Sequence, residues 1–491
     1  MKTWMLVRAG DVSQRLRVWL VGRWRVVAGV SLLSLCVLLL ASSRPFSSVY
    51  SSLHSTTSLA AMATDLNDQR TDLARDYFSQ LTRRTLQELQ ARSPHDGNAS
   101  FMLSAPESDN TPTPSTIPTF TIVIITVSRK RPRNTNRSLG YVLQSGAALD
   151  SLVKNDPMFL DSRLFVCNVD PHPANHEDAV LLKHYLPYVE RYGGSVVPAL
   201  SRLPVPGSEQ LYRDVKLPNI FDRERSDYTF CLQAALAFPS QYYLVFQDDA
   251  LPHPHFPAVL DLSLAKLTKA QQCLKDQSSS GQFLTGLFQS FPTCLSEHPP
   301  YMSHSLPPIP RLISPTPNST FGYLKFYFPE RWQGFALEQQ RLLDLLSMGC
   351  VGGGVALIIQ ALVAWRRKAG WEPSRTVLCV GVVLTLVVVL LVGRQTVNEL
   401  RRVSTFLYRL QSPPDCCIPA MLYPAPVMPQ LVTWLADSPG HSKVDLRVSD
   451  FFKHHALPSY FIAPNVVRHV GMVSSLFENY RKPVEEFVLF R

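Results

Sequence analysis

Two uncharged apolar runs, Leu345–Ala364 and Thr376–Gly393, are separated only by Trp365–Arg375. Each approaches the roughly 20 residues that a helix needs to cross a hydrocarbon core, and each exceeds what a buried core helix usually requires. The short intervening stretch suits the turn of a tight helical hairpin. A third run, Val26–Ser42, is at the short end for a span. A cleavable signal peptide is its competing reading. The long leading segment Met1–Arg25 and the poor cleavage sequence Ser43-Arg44-Pro45 favour a retained anchor.

Basic residues give the orientation. Lys2, Arg8, Arg15, Arg17, Arg23 and Arg25 precede the first run against Asp11 alone, and the hairpin turn holds Arg366, Arg367, Lys368 and Arg375 against Glu372. Both short segments are expected to be cytosolic. The two long segments, Ser43–Asp344 and Arg394–Arg491, then share the lumenal side. The chain carries 48 Lys and Arg against 38 Asp and Glu, a net charge of +10. Most of that excess sits in the cytosolic pieces, so nothing points to nucleic acid. A hydrophobic content of 46% with 18% charged residues excludes a wholly disordered chain. Three spans without a charged residue argue against a channel or transporter.

Other marks agree with a lumenal address. Sequons occur at Asn98, Asn136 and Asn318. Cys36, Cys350 and Cys379 fall inside the runs, whereas Cys167, Cys231, Cys273, Cys294, Cys416 and Cys417 fall outside. Six lumenal cysteines suit up to three disulfides, with fifteen pairings open.

Residues 43–117 read as a stem and linker, with a helix expected over Thr64–Gln90. An α/β pattern begins at residue 118. Strands are expected at Phe120–Val127, Arg163–Val169, Ser195–Pro198 and Tyr242–Phe246. Helices are expected at Leu139–Val153, His176–Tyr185 and Phe221–Phe238. The alternation predicts a mostly parallel sheet. Helix Phe256–Leu267 and strand Tyr323–Phe328 follow. The last segment reads as two helices, Met428–Ala436 and Val444–His454, with few strands. With so little of its own, it is expected to complete the first segment, giving one lumenal domain interrupted by the hairpin and held flat against the bilayer.

The chemistry centres on Gln247-Asp248-Asp249, directly after an apolar strand. The carboxyl end of a parallel strand is where a ligand crevice is expected. Adjacent carboxylates there call for a cation, and hard divalent ions bridge carboxylates to diphosphates. The pattern fits Mn²⁺ or Mg²⁺ with a nucleotide-sugar diphosphate. A turn whose aspartates cap the next element is the plainer alternative. His469 is a second candidate ligand, although a lone histidine is more often structural. Thr126 near the end of the first strand and Ser128 and Arg129 after it, with Lys130, Arg131 and Arg133, are candidates for the diphosphate or base, a solvated basic loop being the plainer alternative. A general base is sought among Asp437, Asp445 and Asp450, with Asp445 ranked first. Gly349 and Gly353, beside Gly352 and Gly354, suit close helix packing in the hairpin.

Several of these features resemble one family, the post-GPI-attachment GalNAc transferases. They are Tyr242–Phe246 with Gln247-Asp248-Asp249, Tyr327-Phe328-Pro329-Glu330-Arg331 before the hairpin, Cys416-Cys417-Ile418-Pro419 and Arg468-His469-Val470-Gly471 with Ser474-Ser475. The resemblance implies a GT-A-like glycosyltransferase domain in two parts, 118–341 and 394–491, split by a transmembrane hairpin over 342–393 with its cytosolic turn at 365–375. A cytosolic tail (1–25) and an anchor (26–42) would precede the stem. It further implies Golgi residence, UDP-GalNAc as donor, and inverting β1,4 transfer to the first mannose of the glycan on GPI-anchored proteins. Asp248 and Asp249 would hold the diphosphate and metal. The family's acidic triplet usually opens with Glu, where this chain has Gln247. The terminal stretch also resembles the branching GlcNAc transferases of N-glycans, which lack the hairpin. A non-enzymatic membrane scaffold on a degenerate transferase fold is the reading from a different class. Oligomeric state is left open.

Overall fold

The structure, a computed structural model, describes residues 28, 32, 56–92, 117–129, 138–192, 219–279, 321–329, 339–368, 370–437 and 442–474. Within the N-terminal run only residues 28 and 32 are described, both helical. The three sequon asparagines, Lys130, Arg131, Arg133 and the strand expected at Ser195–Pro198 lie outside the described residues.

The chain divides into two compact units. One joins Thr64–Phe328 to Ser404–Pro483, and the other contains Pro329–Val403. In the first unit helix α1 (Thr56–Arg92) leads to β1 (Phe120–Thr126), α2 (Tyr141–Asn155), β2 (Arg163–Asn168), α3 (Glu177–Leu182) and β3 (Tyr188–Glu190). Helix α4 (Ile220–Leu236), β4 (Tyr242–Gln247), β5 (Ala250–Pro252), α5 (Phe256–Ser279) and β6 (Leu324–Lys325) complete its N-terminal part.

The second unit holds α6 (Gln339–Arg366), α7 (Arg375–Val392) and α8 (Arg394–Glu399). The chain then returns to the first unit as β7 (Arg409–Gln411), β8 (Ala420–Pro424), α9 (Met428–Asp437), α10 (Val444–His454), β9 (Tyr460–Ala463) and β10 (Val467–His469).

Among the described residues the main sheet has eight strands in the order β3-β2-β1-β4-β8-β6-β9-β7. The first four are parallel neighbours. Beyond β4 the sheet turns mixed, because β8 is antiparallel to both β4 and β6. The sheet is thus less parallel than the sequence pattern predicts, and the last segment is richer in strands. It supplies three strands to this sheet and β10 to a second ribbon. These strands run three to five residues, too short to impose a readable alternation. The expected strand Tyr323–Phe328 shrinks to Leu324–Lys325.

The unbroken apolar character of β1 and β4 has a direct cause. Phe120, Ile122 and Ile124 of β1 pack with Leu244 and Phe246 of β4 on one face, under α2 and α5. Val123, Tyr243 and Val245 pack on the other face under α4, α9 and α10. A sheet covered on both faces needs no polar alternation. A disulfide, Cys167–Cys231, ties β2 to α4. The Cys416 and Cys417 thiols are free. Lys325 is buried and donates to the carbonyls of Pro414 (2.7 Å) and Cys416 (2.6 Å), pinning the stretch between β7 and β8. Burial lowers its ammonium to about 8.

Helix α1 docks on the domain through one face. Tyr77 donates to Asp150 (2.7 Å), Asn67 bonds Leu139 and Gln144, and the Phe78 ring meets Tyr185 at 4.9 Å.

In the second unit, the helices Arg341–Arg366 and Arg375–Val392 are long and apolar enough to cross a membrane. They pack closely at glycines. A Cβ at Gly381 would stand 2.6 Å from the Ala356 Cβ and 2.9 Å from the Gly352 carbonyl, whereas one at Gly354 would meet nothing within 4 Å. Where the pair ends, buried Asp344 accepts from Arg394 (2.8 Å) and Arg401 (3.1 Å). Gly381→Leu is therefore expected to destabilise the unit by about 1–3 kcal/mol through overpacking against backbone. A melt in detergent checks this, with Gly354→Leu leaving the midpoint unchanged.

Candidate functional site

The site grows from the register of two strands. β1 and β4 are parallel neighbours with Ile125 opposite Gln247, so they end together and Thr126 arrives beside Asp248. The Asp248 N–H donates to the Ile125 carbonyl (2.9 Å). The chain has nowhere to continue in the sheet, and the two aspartates form the turn into β5. Both are almost wholly buried, Asp248 at 2% and Asp249 at 1% exposure.

Burying adjacent carboxylates is costly unless a cation answers them. Arg129, three residues past the end of β1, does so. Its Nη2 donates to Asp248 Oδ1 (2.6 Å) and its Nη1 to Asp249 Oδ2. The Asp248 Oδ2 accepts from the Thr126 hydroxyl (2.9 Å). Burial pushes the Asp248 carboxyl up to about 6, Arg129 acting against the rise and Asp249 adding to it. Burial alone would lower the Arg129 guanidinium; the two carboxylates outweigh it and hold it charged.

His469 reaches the site through the small ribbon. β10 pairs antiparallel with β5, setting His469 opposite Ala250. The Val470 N–H donates to the Asp249 carbonyl (2.7 Å), and His469 Nε2 stands 3.2 Å from Asp249 Oδ2. Tyr327 stacks on the imidazole with ring centroids 5.3 Å apart. The following loop closes over the pair. Met472 N–H donates to the Tyr141 hydroxyl (2.8 Å), and the Tyr141 ring lies 5.4 Å from the Arg129 guanidinium. Gly471 permits this approach, since a Cβ there would stand 1.9 Å from Asp249 Oδ2.

A small cleft of about 70 Å³ opens beside these groups. Thr126, Arg129, Gln247 and Asp248 line it together with Arg223, Glu224 and Asp227 of α4. Ser128 enters the site through its main chain, donating to Asp170 Oδ2 (2.9 Å).

Asp445 lies in the first turn of α10. Its carboxylate accepts the N–H groups of Cys417 (3.0 Å) and Leu446 (2.8 Å) in the first turn of α10. Its neighbour Val444 lines the cleft. Glu224 lies close enough to Asp445 to feel its charge. Burial first, then Asp445, raises the Glu224 carboxyl to about 7, while its bond from the Val444 N–H opposes the rise. Glu224 Oε2 is buried without a hydrogen-bond partner among the described residues.

Two residues were not among the sequence candidates. Glu224 sits in a charged helix turn with no motif around it. His176 meets the Thr126 hydroxyl at 2.7 Å. Because Thr126 donates to Asp248, His176 Nε2 is the donor of that bond, and a chain His176–Thr126–Asp248 runs into the acidic pair.

Asp249 and His469 converge in a way that fits a hard divalent cation. Mg²⁺-type sites draw on one or two carboxylates and complete the shell with substrate phosphates and water. Among the described residues no cluster of three or more His, Cys, Asp or Glu forms an all-protein cage.

The family model described as GPI-N-acetylgalactosamine transferase PGAP4 matches residues 120–284 and 301–468. The chain belongs to this family. Its two matched blocks hold β1 through α5 and β6 through most of β10, so the acidic pair, the cleft and the apolar hairpin all fall within it. Membership supports transferase activity and a link to GPI glycans.

Two outcomes follow. Gly471→Ala is expected to push the loop off Asp249 and cut turnover at least tenfold while leaving the melting midpoint within a few degrees. For Glu224, the folded carboxyl binds its proton more tightly than the unfolded one. Stability therefore falls as pH rises from about 4.5 toward 7, and the full cost is present above 7. Glu224→Gln should be more stable than the native chain by about 1–3 kcal/mol at pH 8, with the gain vanishing near pH 4, as read by denaturant melts.

Proposed function

We propose that the chain is a Golgi membrane enzyme with a GT-A-like fold that moves GalNAc from UDP-GalNAc to the first mannose of the GPI glycan, forming a β1,4 linkage with inversion. The observation that carries this reading is the buried Asp248–Asp249 pair at the joint carboxyl end of β1 and β4, bridged by Arg129 beside an open cleft. Such an end is where α/β sheets hold ligands. Family membership supports the GPI-glycan acceptor and the GalNAc transfer.

In the proposed reaction the acceptor hydroxyl oxygen attacks C1 of GalNAc as the C1–O bond to the diphosphate breaks. UDP departs, and the hydroxyl proton passes to a carboxylate. Glu224 is better placed to take it than Asp445. Glu224 lines the cleft, has a buried oxygen without a hydrogen-bond partner among the described residues and a carboxyl raised to about 7, whereas both Asp445 oxygens accept main-chain hydrogens. Arg129 and the Thr126 end of β1 would position the diphosphate. Asp249 and His469 would hold Mn²⁺ or Mg²⁺, which when bound stabilises charge on the leaving diphosphate.

The two apolar helices, the basic turn between them and the N-terminal run support a three-span topology with the N-terminus cytosolic and the catalytic unit lumenal. That side is the one where a membrane-anchored glycan is presented.

The test is transfer by the purified chain in detergent, offering UDP-GalNAc, UDP-GlcNAc and UDP-Gal with a GPI-like mannoside. Transfer from UDP-GalNAc alone is expected, with Asp248→Asn, Asp249→Asn and Glu224→Gln each reducing kcat by about 100-fold or more. Equal transfer from UDP-GlcNAc, or full activity in the Asp248→Asn protein, would defeat the reading.

A further inference from the structure

The apolar hairpin fixes where a membrane around it would end. On α6, Asp344 and Trp365 are 21 residues apart, about 31 Å along a helix axis. The hydrocarbon core of a bilayer is roughly 30 Å thick. Trp365 is 77% exposed, and exposed tryptophan favours the boundary between lipid and water. Asp344 therefore marks the opposite boundary.

The chain does not rise straight away from that boundary. Gly393 ends α7 with a φ of 86°, a left-handed conformation that breaks the helix. The buried Arg394 side chain turns back onto Asp344 (2.8 Å), and Arg401 joins the same carboxylate (3.1 Å) from a 3₁₀ turn, Leu400–Val403. Arg402 pairs with Glu399 (2.6 Å). Residues 394–403 are thus drawn against the end of α6, and each of their arginines is held by a carboxylate. Apolar side chains are left on the outside. Leu400 is 61% exposed and Val403 84%, and Leu343 and Leu346, close to Asp344 in sequence, are exposed as well.

Exposed apolar side chains among paired charges suit the headgroup layer. There the side chains dip toward the acyl chains while guanidinium groups meet lipid phosphates. Residues 339–344 and 394–403 hold four arginines against Asp344 and Glu399, an excess of two positive charges. We propose that residues 394–403 lie in the plane of the membrane surface, with Leu400 and Val403 inserted where headgroups meet acyl chains and the arginine cluster at the level of the phosphates. The partner of this surface is the lipid bilayer, and the proposal rests on the reading of α6 and α7 as membrane spans. At Ser404 the chain returns to the unit that bears the sheet. The segment therefore starts that return from the membrane surface, where an anchored acceptor glycan also begins.

The test is tryptophan emission from the full chain in bilayers whose lipids carry bromine, a contact quencher, either next to the headgroup or near the end of the acyl chain. Leu400→Trp and Val403→Trp are compared with the native chain, whose emission is subtracted. Both sites are exposed, so neither substitution displaces a packed side chain. The added emission at each is expected to shift to the blue and to be lost mostly to bromine next to the headgroup. Ile358→Trp, at an exposed site within the apolar helix, is expected to be quenched most by the deep bromine. Emission from positions 400 and 403 that no brominated lipid quenches overturns the proposal. So does a blue shift without quenching, the mark of a protein partner or a second copy. Quenching greatest by the deep bromine overturns it too, because the segment then lies in hydrocarbon. If position 358 is itself unquenched, the membrane-spanning reading fails and this proposal with it, whereas quenching at 358 alone defeats only the proposal.

Discussion

Two adjacent carboxylates buried at the carboxyl end of a sheet's central strands would repel each other and resist desolvation by several kcal/mol per charge. The rest of the site can be understood as the means of holding them there. Arg129 bridges the pair, Thr126 ties Asp248 to β1, and the Asp249 main chain is paired with Val470. Thr126 and Arg129 come from the end of β1, and Val470 from the C-terminal ribbon. The centre is complete only when β1, β4 and the C-terminal ribbon are all in place, so folding of the domain and assembly of the site are one event.

That dependence gives the interruption by the hairpin unit its significance. Strands β8, β6 and β9 lie side by side in the sheet, although β6 precedes the hairpin in sequence and the other two follow it. Asn465 clamps the Phe328 main chain with bonds of 3.1 and 2.8 Å, and the Val466 N–H donates to Phe326. These contacts fasten the returning chain to the strand it left before the hairpin, and they aim β10, and hence His469, at the acidic pair. A glycosyltransferase domain built this way cannot lose its C-terminal segment and keep its centre.

The readable parts of the sequence were those with long, unambiguous patterns. Strands β1, β2 and β4 fall within one or two residues of their expected places because a strand buried on both faces is a continuous β-branched or aromatic run. The apolar helices are legible because length and hydropathy alone define them. Strands β5, β7, β8, β9 and β10 were not legible. They are short, and their pairing depends on partners far away in the chain. Asp445 was favoured as a base from its position before an apolar run, but that same position makes it a helix-start acceptor of main-chain hydrogens.

Local pattern carries the local facts: which segments are apolar enough to span a bilayer, where the apolar strand ends in Gln247-Asp248-Asp249, and which family the motifs resemble. Tertiary structure alone decided who answers those aspartates. Arg129 stands more than a hundred residues before them and His469 more than two hundred after. Glu224 and His176 carry no local signature at all. A charge pattern records which residues can ionise, but the cost of burying a charge, and the partner that relieves it, arise only when distant segments exclude water together.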